Sequence, residues 1–151
     1  MKIRIISPWK QEGIFAKKES EYLKRLQNDA KIFVDEIKGE QGEGADALKK
    51  EGKKLLSRVS KGSFLVALSE KGKSYDSPAF FKWLEEMGLK GRSDITFVMG
   101  SAAGLDSSLV EKADMLLSLS PMTFPHQMAR VMLVEQIYRA FTLIKGGPYH
   151  K

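Results

Sequence analysis

Five short apolar runs, separated by stretches of helical period, set the tightest limit on how this chain folds. They are Lys2–Ile6, Lys31–Ile37, Ser63–Ser69, Asp94–Gly100 and Met115–Ser120. A strand with one wet face alternates apolar and polar residues. The later runs here, "FLVAL" and "ITFVM", do not alternate, as expected of strands covered on both faces. Between them lie segments of helical spacing. Phe15–Asp29 carries an apolar stripe of Phe15, Tyr22, Leu23 and Leu26. Ala45–Val59 has many lysines on its wet side. A third helix opens at Asp76 or Ser77, with Pro78 in its first turn, and ends near "MGLKGR". A short fourth runs from Asp106 or Ser107 through Ala113. "KGEQGEGAD" reads as a mobile loop, and "EKGKSYDSP" as a turn. Strand and helix alternate throughout, which predicts an α/β fold: a mainly parallel sheet flanked by helices.

The chain has 151 residues, so a single domain spanning 1–151 is expected, large enough to bury a core without staples. With no cysteine, disulfides, thiolate catalysis and zinc–sulfur sites are excluded, and no metal site is assigned. No apolar run reaches 18 residues, so no membrane partner is expected. The N-terminal run lacks the long apolar core of a signal peptide, which makes the cytoplasm the expected location. A net charge of +6 has two readings: a solvated surface, or a polyanionic partner such as RNA.

Ligands of such sheets bind beyond the carboxyl ends of the strands. The loops there are "ALSEKG", "VMGSAAG" and "LSLSPMTFP". If the last three strands are neighbours, these loops converge. "GSAAG" has no lysine and is no P-loop, and its glycine spacing does not fit a dinucleotide fingerprint. By itself it is a tight turn.

The last helix follows Pro121 and Pro125 and is apolar on almost every side from Met128 to Ile144. Such a helix must be covered nearly all round. Either it is a central core helix, or a second copy of the chain covers it. Glu135, Arg139 and Thr142 share one side, with His126 and Arg130 roughly opposite. Glu135 and Arg139, four apart, are placed for a helix ion pair. His126, next to Pro125, reads as a helix-start residue.

"VMGSAAGL", "LSLSPMTFPHQMARVMLVEQIYRAF" and the terminal "PYHK" closely resemble the RlmH (YbeA-like) family of ribosomal large-subunit pseudouridine methyltransferases, in the SPOUT superfamily. The resemblance covers the whole chain and is most specific in the C-terminal third. It implies a C-terminal trefoil knot, which no periodicity would have predicted. It implies a homodimer packed through the C-terminal helix. It also implies S-adenosylmethionine as methyl donor, and methylation of N3 of a pseudouridine in 23S rRNA, on assembled ribosomes.

By the same resemblance the cofactor site takes in Leu68, Gly100, Leu119, Ser120, Pro121, Met122, Thr123 and Phe124. The residue types suit it. Leu68, Leu119 and Met122 can sandwich an adenine, Gly100 allows close backbone approach, and the prolines stiffen the loop. Relatives usually carry a second glycine where this chain has Ser101, Ala102 and Ala103, so no side-chain role is assigned there. The ring imide nitrogen must lose a proton, and Glu135, His150 and water are the candidate acceptors. Arg139 is a candidate for RNA phosphate or for the developing ring anion. Tyr149 is a candidate for base stacking. One chain's tail would close the other's pocket. Without the resemblance, two rivals stand: a non-catalytic RNA-binding ribosome assembly factor, and a nucleotide-binding regulatory domain. Binding of S-adenosylmethionine separates both from the enzyme.

Overall fold

A computed structural model describes residues 1–42 and 44–149. Five strands, β1 (Lys2–Ser7), β2 (Lys31–Glu36), β3 (Phe64–Ser74), β4 (Asp94–Val98) and β5 (Met115–Ser118), form one sheet in the order β2-β1-β4-β3-β5. All four pairings are parallel. Five helices connect or follow them: α1 (Gly13–Leu26), α2 (Ala45–Ser57), α3 (Ser77–Leu89), α4 (Ser107–Lys112) and α5 (His126–Ile144).

The unbroken apolar runs follow from two cores, one on each face of the sheet. Ile3, Ile5, Val66, Ile95 and Phe97 point to a core shared with α1, α3 and α5. Ile6, Leu65, Ala67 and Val98 point to a second, with Leu55 of α2 and Leu109 of α4. Thr96, fully buried between them in sequence, is satisfied by Ser63 at 2.7 Å. Each fully buried Ile, Val or Leu here contributes about 1.5–3 kcal/mol.

Local capping matches the sequence at two helices. Asp76 accepts from the Ala79 N–H at 2.7 Å to start α3, and Asp106 accepts from the Ser108 N–H at 3.2 Å to start α4. "EKGKSYDSP" is a correction. The strand does not stop at Ser69 but runs to Ser74. Leu117 of β5 pairs with Leu68, and then, past an irregularity, again with Lys73. The chain therefore bends over β5. Gly72 makes this close approach workable, because a Cβ there would lie 2.7 Å from the Leu117 nitrogen.

Helix α5 divides its apolar residues between two faces. Leu133, Val134, Ile137, Ala140 and Phe141 are buried in this chain's own core, against α1 and α3. Core packing thus accounts for Val134 and Ile137. Met128, Val131, Met132, Glu135, Tyr138, Arg139 and Thr142 make up the opposite face, which is partly or fully exposed.

Candidate active site

The sheet order puts β4, β3 and β5 side by side, so the three loops at their carboxyl ends converge. They enclose a cavity of about 920 Å³. Seven of the eight residues assigned to the cofactor line it: Leu68, Gly100, Leu119, Ser120, Met122, Thr123 and Phe124. The eighth, Pro121, is exposed and is not among the lining residues. Ser120 Oγ accepts from the Met122 N–H at 3.0 Å, and Thr123 Oγ1 donates to Glu70 at 2.8 Å. These bonds tie the β5–α5 loop to itself and to the end of β3.

Gly100 serves the loop before any ligand. A Cβ there would strike the backbone of Gly104 and lie 2.9 Å from Leu105 Cδ2. Ser101 and Gly104 close a tight turn, with the Gly104 N–H donating to Ser101 O at 2.9 Å. Gly104 supplies the positive φ, +87°.

Two cavity residues were not placed there by the sequence reading, which gave Trp9 no role and took His126 for a helix-start residue. Trp9 follows β1, which lies beside β4, and reaches the cavity from there. His126 also lines it. Its ring meets Trp9 edge-on, centroids 4.6 Å apart, and it makes no side-chain cap bond at the helix start. The signal in the sequence was the "PW" pair after a strand, visible only once the strand order is known.

Arg130 has a structural role. Its side chain is 1% exposed. Nε and Nη2 donate to the two carboxylate oxygens of Glu19 at 2.9 and 2.8 Å, Nη2 also to Glu36 at 2.7 Å, and Nη1 to Ser7 at 2.7 Å. Gln11 extends the network to Glu19 and to the Gln127 carbonyl. Burial alone would raise the Glu36 pKa, but the Gln11 N–H and Arg130 outweigh it and hold the carboxyl below its usual value.

Glu135, Arg139 and Tyr149 form a separate cluster on the other face of α5. Arg139 Nε and Nη2 donate to Glu135 Oε1 at 3.1 and 2.5 Å. The Tyr149 hydroxyl donates to the same oxygen at 3.2 Å, and Gln136 Nε2 to Oε2 at 2.6 Å. The Arg139 guanidinium lies over the Tyr149 ring at 4.8 Å, and Tyr138 meets that ring edge-on at 4.8 Å. Burial, then the Tyr22 hydroxyl and the Glu135 charge, push the Tyr149 pKa well up, so the phenol keeps its proton at neutral pH. Tyr149 thus packs on the helices of its own chain. His150, the fourth catalytic candidate, lies outside the described residues.

Among the described residues the two groups of candidates do not meet within one chain. Of α5, only His126 and Ala129 line the cavity. At 1.5 Å per residue, Arg139 lies about 15 Å further along the helix than Ala129.

Comparison with known proteins adds to this geometry. The sequence profile described as "Predicted SPOUT methyltransferase" matches residues 1–150. A protein of Carboxydothermus hydrogenoformans called "Ribosomal RNA large subunit methyltransferase H" is 40% identical over the whole of both chains. Proteins of the same description from Pelotomaculum thermopropionicum and Ruminiclostridium cellulolyticum are 46% and 43% identical. They align over 87% and 100% of this chain, and over 86% and 100% of their own.

Proposed function

The chain belongs to the SPOUT methyltransferase family, and on that premise we propose that two copies of it methylate N3 of a pseudouridine in 23S rRNA, at sites built jointly by both. It is an S-adenosylmethionine-dependent methyltransferase of large-subunit ribosomal RNA. The observation that carries the shared site is the separation just described: a nucleoside-sized cavity at one end of α5, and a charged cluster on a half-exposed face further along it.

The cavity suits S-adenosylmethionine. Its volume falls in the range of small-molecule sites, Leu68 and Leu119 offer apolar walls for a purine, and the Ser120 and Thr123 segment offers polar rim groups. When bound, the cofactor supplies an electrophilic sulfonium methyl. The chain's own part is to hold the base in line with that methyl, where most of the gain comes from positioning.

Glu135 acts as an orienter and not as the base. Three of its four donor contacts, two from Arg139 and one from Tyr149, converge on Oε1, and Gln136 takes Oε2, so the carboxylate is held against Arg139. It fixes Arg139, whose guanidinium stabilises negative charge developing on the ring as N3 loses its proton to water or to His150. Tyr149 holds Arg139 from above.

The partner copy sits on the open face of α5, where Met128, Val131, Met132 and Tyr138 present apolar surface around Glu135 and Arg139. That packing brings one chain's cluster to the other's cavity. The reading includes the trefoil knot that the family implies. The bend of β3 over β5, which leaves Leu117 paired at both Leu68 and Lys73, supports such a threaded C-terminal segment. Among the described residues no helix is long and apolar enough to cross a membrane; a ribosomal RNA substrate is the argument for the cytoplasm. Calorimetric titration with S-adenosylmethionine and ATP in parallel tests the reading. Binding of the first alone is expected, and binding of ATP alone would overturn it in favour of a nucleotide-binding regulatory domain.

A further inference from the structure

The carboxyl edge of the sheet carries a second recess. A cleft of about 410 Å³ opens beyond β1 and β2, and Trp9 lines both it and the cofactor cavity. Lys10, Glu36 and Lys38 stand around it.

We propose that this cleft holds a nucleotide of the RNA substrate next to the methylated one, with its base on Trp9 and its phosphate between Lys10 and Lys38. The proposal rests on the rRNA substrate argued above, and adds to it where the strand runs. Trp9 is a fixed platform. Its Nε1 donates to Gln11 at 3.1 Å, His126 braces one edge, and the Arg130 guanidinium sits 5.9 Å from the ring centroid. Stacking on an aromatic ring is the usual way a protein holds an unpaired RNA base.

The charges favour an anion. Arg130 serves both the buried Glu19 and the exposed Glu36, leaving one net negative charge in that group. Lys10 and Lys38 are exposed and enter no ion pair with a described residue, so two cations stand at the cleft to meet an anion, set against Glu36 and against the buried Glu51 behind Gly39. Helix α2 adds exposed Lys49, Lys50, Lys53 and Lys54, of which Lys54 pairs with Glu40. Lys54 reaches the Lys38 carbonyl at 3.5 Å. A cavity for the methyl donor and a basic cleft with an aromatic wall therefore share one residue.

The test uses the double variant K10Q/K38Q, with K10R/K38R as the charge-keeping control. For methyl transfer to ribosomes, K10Q/K38Q should raise KM roughly tenfold with kcat and S-adenosylmethionine affinity unchanged. The slope of log KM against log salt should become shallower by about 1.4, the share of two single-strand phosphate contacts. K10R/K38R should restore both. Unchanged KM and slope in K10Q/K38Q would overturn the cleft while leaving the methyltransferase reading standing. In a Trp83→Phe background, Trp9 is the sole tryptophan, and single-stranded oligouridylate should quench its fluorescence. That quenching should vanish in K10Q/K38Q. Quenching by oligouridylate in a protein that transfers no methyl to ribosomes would support the cleft and sink the proposed reaction. Quenching that survives in K10Q/K38Q would contradict the phosphate contacts.

Discussion

Arg130 and Arg139 sit nine residues apart on α5, which places them on opposite sides of the helix. Each pairs with a glutamate, yet the two pairs differ in what surrounds them. Arg130 and Glu19 expose 1% and 5% of their side chains, Arg139 and Glu135 24% and 16%. The first pair is spent on the chain's own fold, bolting α5 to α1 and to the ends of β1 and β2. The second is held by Tyr149 and Gln136 and only partly covered, on the face of α5 turned away from α1 and α3. The same chemistry serves the fold where burial is complete, and is proposed to serve the reaction where it is not.

The largest effect is expected at the closed pair. Arg130→Leu leaves Glu19, 4% exposed, as an uncompensated charge. Breaking a buried pair from one side costs about 3–5 kcal/mol, so thermal unfolding should fall by roughly 10 °C or more. A melting curve within a degree or two of wild type would erase the distinction between the pairs.

On the open face, Val131→Glu should leave the chain folded, because Val131 lies outside the buried set of α5. It should yield monomers in light scattering, with ribosome methylation lost and S-adenosylmethionine affinity within about twofold. A dimer of normal activity would place the partner elsewhere. By contrast, charge at Val134 or Ile137 should unfold the chain, since both are fully buried.

A smaller effect sharpens the closed network by pH. Glu36 is held below its ordinary value of 4.5. A depressed carboxyl contributes stability that is present above the unfolded pKa and is lost as pH falls through the folded one. Denaturant midpoints should therefore drop from about pH 4.5 downward. Glu36→Gln should start lower at neutral pH and lose less in acid. Parallel pH curves for the two proteins would refute that linkage.

Much of this was legible in the sequence. The continuous runs at β3 and β4 announced two-sided burial, and Asp76 and Asp106 announced their helices. The loop between β5 and α5 that lines the cavity was legible through the motif that carries it. Strand order was not, and with it went Trp9, whose place at the cavity depends on β1 lying beside β4. The bend of β3 over β5 was also hidden, since "EKGKSYD" has the composition of a turn and only the pairing of Lys73 with Leu117 makes it strand. For α5, apolar periodicity could not divide the core face from the open one. Both are apolar, and the division is set by where α1 and α3 pack.

The central claim is that one chain's cavity works with another's Arg139. Mixing two inactive variants tests it most directly: Leu119→Glu, which places a charge in the cavity, and Arg139→Ala. Refolded together in equal amounts, half the dimers should be mixed, each with one intact site. Methylation of ribosomes should return to about a quarter of the wild-type rate, although neither variant works alone. If the mixture stays as inactive as its components while mixed dimers form, cavity and Arg139 do not act across the pair, and the shared site is wrong.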